Sequence, residues 1–180
     1  LLSGAASGLA GCTVTSSGPD DGGAPPTTTG DPTSGTETPQ ERPTVAFSGI
    51  LGESRIDPVG LAVEPGETVV FRVAVGLELG APHSTRAYHP DNDAELRIPR
   101  DADPWHGPLM APGETFAVTL DVEGTYDYYC APHRSHGSVG RIVVGEPGGP
   151  AEGSDPPHGE LPSGRRIVEE GPITFGEREG

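Results

Sequence analysis

The stretch TYDYYCAPHRSHGSVG, residues 125–140, joins a strand pattern to a chemically loaded loop. Tyr126 and Tyr128 recur two positions apart, the period of a β-strand, and GRIVVG at 140–145 opens a second run of β-branched residues. Between the two runs lie Cys130 and His133, with Pro132 stiffening the segment that joins them. A soft thiolate and an imidazole delivered by one short loop point to a single bound metal ion. Zinc competes on chemical grounds, because Cys/His sets also hold it tetrahedrally.

Outward from this loop the same texture continues. TVAFSGI (44–50), LAVEPGETVVFRVAV (61–75) and TFAVTLDVEGTYDYYC (115–130) read as strands, and no stretch holds helical periodicity over three turns. EPGET at 64–68 and APGET at 111–115 are turns, each leading into an alternating strand: Val69, Phe71 and Val73 in the first, Phe116, Val118 and Leu120 in the second. Several short strands with such turns predict an all-β antiparallel sandwich over residues 44–146. If TFAVTLDVEGTYDYYC is a hairpin turning at Glu123-Gly124, Cys130 lies across from residue 117, and the 109–114 loop opens at the thiol's end. HPDNDAELRIPRDADPWHGP, 89–108, is the longest irregular stretch inside this domain, and loops of such length often cover a ligand.

The ends have a different composition. Much of the Gly (28 residues) and Pro (21) is concentrated there, whereas every aromatic except Phe175 lies within 44–146. Residues 13–43 are Thr/Ser/Gly/Pro-rich and acidic, so they bury too little surface to offset ordering entropy and read as a disordered stalk. Residues 147–180 read as a flexible tail, in which Ile167, Val168, Ile173 and Phe175 offer a chance of docking. At the start, LLSGAASGLAGC looks like the end of a secretory signal, and Leu9-Ala10-Gly11-Cys12 resembles a lipobox with Cys12 as the lipidated residue. A Cys12–Cys130 disulfide is the weaker reading, since the surroundings of Cys130 call for a free thiolate.

The formal charge is −16, and all eleven basic residues are Arg. Such a surface repels nucleic acid and keeps the chain soluble as a monomer. It suits concentrated salt, where the screening length falls to about 3 Å at 1 M. A halophilic source follows as the expectation.

A second imidazole would complete a trigonal His2Cys plane of the kind copper occupies in electron-transfer sites. His83, in GAPHSTRAY, is the expected partner, and His89 is the alternative if the strand register differs. His106 and His158 read as solvated side chains.

The segment GTYDYYCAPH…VGRIVVG, preceded in order by LAVEPGETVVFR, PHS and APGETFAVTLDVEG, resembles the small blue copper proteins of the plastocyanin, pseudoazurin and halocyanin group. AYHPDND and RIP…DPW are similar to a haloarchaeal branch of it. The resemblance implies a Greek-key cupredoxin sandwich, a type 1 copper ligated by His83, Cys130 and His133, and one-electron exchange with redox partner proteins of a membrane chain. It also implies that His133 is the solvent-facing ligand. Five residues after the loop His the family carries a methionine, and here that position is Ser138. A hydroxyl is short and hard, so the expectation is a site without an axial side chain, with Ser138, His136 and Met110 as the candidates otherwise.

Other functions fit less well. A multicopper oxidase needs His-x-His pairs and a binuclear centre needs a second loop cysteine; neither is present. No strand–turn–helix elbow surrounds Ser138 to make it a nucleophile. The competing reading keeps the fold but gives it copper storage or delivery, or a metal-free interaction role.

Overall fold

The computed structural model describes residues 41–49, 54–75 and 81–178. The expected leader and lipid site at Cys12, and the stalk up to residue 40, lie outside these residues. Eight strands are described: β1 (Thr44–Ser48), β2 (Arg55–Asp57), β3 (Gly60–Val63), β4 (Glu67–Val73), β5 (Arg86–Ala87), β6 (Thr115–Leu120), β7 (Gly124–Tyr129) and β8 (Val139–Val144). They form two four-stranded sheets, ordered β2-β1-β4-β6 and β3-β8-β7-β5.

Alternation decides which face each strand buries. Val69, Phe71 and Val73 of β4 point inward with Val45 and Phe47 of β1, and meet Leu61, Val63, Tyr126, Tyr128, Ile142 and Val144 of the other sheet in one core. Trp105 reaches into this core from the 89–108 segment, with ring centroids 6.1 Å from both Phe71 and Tyr128. Its indole N–H donates to Thr85 Oγ1 at 3.0 Å, so the buried ring keeps its polar edge satisfied.

Three expectations are corrected here. The sheets are mixed rather than purely antiparallel: β1 runs parallel to β4, and β3 to β8. The chain visits the second sheet at β3 between β1 and β4, so it re-enters the first sheet in the original direction. Secondly, β6 and β7 are not a hairpin, since β6 pairs with β4 and β7 with β8. The connection is a corner between sheets, which lets both strands bury a face in the same core. Gly124 takes φ +132° there, and the Tyr126 hydroxyl donates to Val122 C=O at 2.6 Å.

The third correction concerns the C-terminal segment, expected to be flexible from 147. Ala151, Leu161, Ile167 and Ile173 are buried, and Gly164–Glu170 forms a helix, α1, whose N-cap Ser163 accepts from Arg166 N–H at 3.3 Å. The reason lies in the second sheet, where β7 and β8 are buried along their whole length. Their outward side chains Tyr129, Val139 and Val143 form a second apolar cluster with Val59, Tyr88, Leu161, Ile167 and Ile173. Thr125, Asp127 and Arg141 share that face, so strands buried on both sides need apolar cover and polar partners together, and the C-terminal segment supplies both. Ile173 is tied down by backbone bonds, accepting from Val59 N–H at 2.8 Å and donating to Gly60 C=O at 2.9 Å. Of the four docking residues expected from sequence, Ile167 and Ile173 are buried, whereas Val168 is largely exposed.

Candidate metal centre

At one end of the sandwich the loop after β7 folds into a 3-10 turn, Ala131–His136, with Pro132 in its first positions. Gly137 closes it at φ +74°, its N–H bonded to the carbonyls of His133 and Arg134. Gly suits that left-handed conformation, and the reversal brings Ser138 back beside Cys130, whose N–H donates to Ser138 C=O at 3.0 Å. His83 arrives from another part of the chain. It is pinned by both backbone groups to Met110, at 3.0 Å and 2.7 Å, and its ring stacks on Phe47 at 5.5 Å between centroids.

The ligand atoms of His83, Cys130 and His133 all lie within 4.8 Å of one another, and all three residues are buried. Both Nδ1 atoms face the sulfur, at 3.5 Å from His83 and 3.3 Å from His133. Two donors bound to one ion at about 2.0–2.3 Å and at angles of about 90–120° stand roughly 3–3.7 Å apart, so this spacing fits a shared metal. Ser84 braces the arrangement: its N–H donates to Cys130 Sγ at 3.4 Å, and its hydroxyl accepts from Ala131 N–H at 3.2 Å.

Electrostatics favour neutral donors until a cation arrives. Burial, helped by neighbouring His133, lowers the His83 pKa to about 4. Burial, then His136, also lowers that of His133. Burial pushes the Cys130 thiol up to about 11, against hydrogen bonds from Ser84, His133 and Ser138. Between these limits His83 holds no extra proton and the thiol keeps its own, so ligation through the thiolate expels one proton. Both imidazole pKa values lie below 6.5. From neutral pH up toward the thiol's own pKa, apparent metal affinity is therefore expected to rise about tenfold per pH unit, read by competition with a chelator of known affinity. A flat response would mean that the thiol is already ionised.

A thiolate with two imidazoles in one buried plane is the donor set expected for copper, and the family comparison agrees. The profile of the family described as "Copper binding proteins, plastocyanin/azurin family" matches residues 52–145. This chain belongs to that family. Copper is accordingly its metal. Among relatives, the chloroplastic plastocyanin of Pisum sativum is 38% identical over 87 residues, covering 48% of this chain and 49% of that protein. The chain thus spans about half the length of that relative. The plastocyanin of Rumex obtusifolius is 36% identical over 100 residues, covering 56% of this chain and 97% of that protein. The crystal structure of pseudoazurin from Methylobacterium extorquens AM1 superposes with a TM-score of 0.50 at 23% identity, over 72% of this chain and 96% of that one, a likeness of fold.

The other sequence candidates are placed as follows. Ser138 is buried beside Cys130, with its hydroxyl 2.8 Å from that of Ser54. Met110 meets His83 through its backbone, and its side chain belongs to the core. His136 is exposed, its ring 6.4 Å from that of His133. His89 caps a 3-10 turn, its Nδ1 accepting from Asp91 N–H at 3.2 Å, and is not part of the cluster. His106 pairs with Asn92 at 3.0 Å, and His158, expected to be solvated in a tail, meets the Tyr88 hydroxyl at 2.9 Å. Ser54 and Ser84 were not singled out by sequence. Ser84 was findable as the neighbour of His83 in PHS, but nothing local marks Ser54.

Proposed function

We propose that this domain is an extracytoplasmic one-electron carrier, not a catalyst, with a type 1 copper held by His83, Cys130 and His133. One observation carries the reading: a buried sulfur and two imidazole Nδ1 atoms converge from two separately braced segments. Copper, when bound, supplies the Cu(I)/Cu(II) couple. The chain's own part is to hold the donors still. Backbone pairing fixes His83, Ser84 tethers the sulfur, and Gly137 closes the loop, so the donor positions need little reorganisation between charge states. His133 is 9% exposed against 1% for His83 and 0% for Cys130, which makes its ring edge the port for electrons to and from partner proteins.

The finer parts of the reading rest on sequence. Cys12 carries a lipid that tethers the chain to the outer face of the cytoplasmic membrane, and 13–43 is the stalk. The donors and acceptors are proteins of a membrane electron-transport chain, with the carrier itself a monomer. The Lys-free acidic composition supports a haloarchaeal, halocyanin-like member.

Titration of the metal-free protein with Cu(II) tests the central claim. One equivalent is expected to develop an intense visible charge-transfer band that bleaches reversibly on reduction. Tight binding without that band would favour copper delivery instead.

A further inference from the structure

We infer that Ser54 Oγ is a fourth donor to the metal, held in place by Ser138. The inference rests on the copper reading above. Ser54 Oγ lies 3.4 Å from His83 Nδ1, nearly the separation of that nitrogen from Cys130 Sγ, 3.5 Å. A hydrogen bond between an oxygen and a nitrogen normally runs about 2.7–3.2 Å, so 3.4 Å makes a poor one. It falls within the roughly 3–3.7 Å expected between two donors of a single ion.

The hydroxyl's other contact agrees. Ser54 Oγ is 2.8 Å from Ser138 Oγ, a hydrogen bond of ordinary length between two buried groups. The Ser138 side chain also favours the ionised form of the Cys130 thiol. With Ser54 donating to Ser138, the lone pairs of Ser54 stay free on the side of His83. Ser138 is then a positioning residue, and the oxygen donor comes from 84 residues earlier in the chain. At 5% and 1% exposure the two hydroxyls leave bulk water little access to this face. A neutral, hard oxygen is a weak axial donor that favours Cu(II) over Cu(I).

The test uses the copper-loaded full chain and its Ser54→Ala, Ser54→Thr and Ser138→Ala variants. Ser54→Ala is expected to move the balance toward Cu(I) at least tenfold, a rise of about 59 mV for one electron. It should also abolish the coupling of an exchangeable hydroxyl proton to Cu(II) in electron–nuclear double resonance. Ser54→Thr retains the hydroxyl and should restore both signals, whereas Ser138→Ala, which removes only the brace, should weaken the coupling without abolishing it. A shift below tenfold in Ser54→Ala, or a coupling that survives it, overturns the proposal. Absence of the charge-transfer band from the unmodified protein would instead sink the copper reading beneath it.

Discussion

Cys130→Ser is expected to abolish the intense visible band and to weaken copper binding by more than about 100-fold, beyond the 10–100-fold typical of losing an outer partner. The sulfur is the one soft donor of the cluster, and its covalency with copper is the source of the colour. An alkoxide cannot replace it: a serine hydroxyl keeps its proton at neutral pH and is a poor donor to Cu(I). The fold should survive, because the substitution changes one fully buried atom at the end of β7 and leaves the backbone bonds to Ser138 and His133 in place. Absorption spectra and chelator competition on the two proteins measure the effect, with circular dichroism as the check on folding. A strongly coloured, reversible copper couple in Cys130→Ser would refute the assignment of the site.

Asp127→Asn is expected to destabilise the domain by about 3–5 kcal/mol, the usual cost of breaking a buried ion pair from one side. Asp127, fully buried in β7, accepts from Arg97 Nε at 2.8 Å and from Arg141 Nε and Nη2 at 2.7 and 3.0 Å. Both guanidinium groups are themselves nearly buried, so loss of the carboxylate leaves Arg141 without its ion-pair partner and Arg97 with only the half-exposed Glu95 at 3.0 Å. They also hold the C-terminal segment. Arg97 and Arg141 donate to Ala151 C=O at 3.1 and 3.0 Å, Arg141 to Pro162 C=O at 3.0 Å, and Arg97 to Ser154 C=O. Residues 147–163 should accordingly become the first site of limited proteolysis in the variant. Chemical denaturation gives the energy. A loss under about 1 kcal/mol, the range of exposed ion pairs, would show that water screens the triad.

That segment also shows how a misreading of sequence arises. PGGPAEGSDPPHGELPSG has the composition of a chain that cannot build its own core, and it builds none. It is ordered because the outer faces of β7 and β8 need cover, apolar contacts for Tyr129, Val139 and Val143 and carbonyl acceptors for Arg141. The signal sat in β7 and β8, whose outer face sets Tyr129, Val139 and Val143 beside Thr125, Asp127 and Arg141, all of them buried, so each strand had to be covered twice. The hairpin expectation erred in a related way. Turn chemistry at Glu123-Gly124 indicates that the chain bends, but a bend within one sheet and a corner between two use the same residues.

The sequence by itself determined what depends on neighbours within a few positions. Alternation marked β4, β6 and β7, because side-chain direction follows backbone period, and a run of β-branched residues marked β8. The three-residue spacing of Cys130 and His133, stiffened by Pro132, put a thiolate and an imidazole on one loop whatever the rest of the chain did. Tertiary structure alone decided what converges from afar. The pairing of His83 with Met110, rather than any feature of His83 itself, brings His83 and not His89 to the sulfur 47 positions away. Ser54 meets Ser138 across 84 positions with no pattern to announce it. Such meetings depend on which sheet each strand joins and in what register, and those choices are settled by burial of the whole core rather than by local preference.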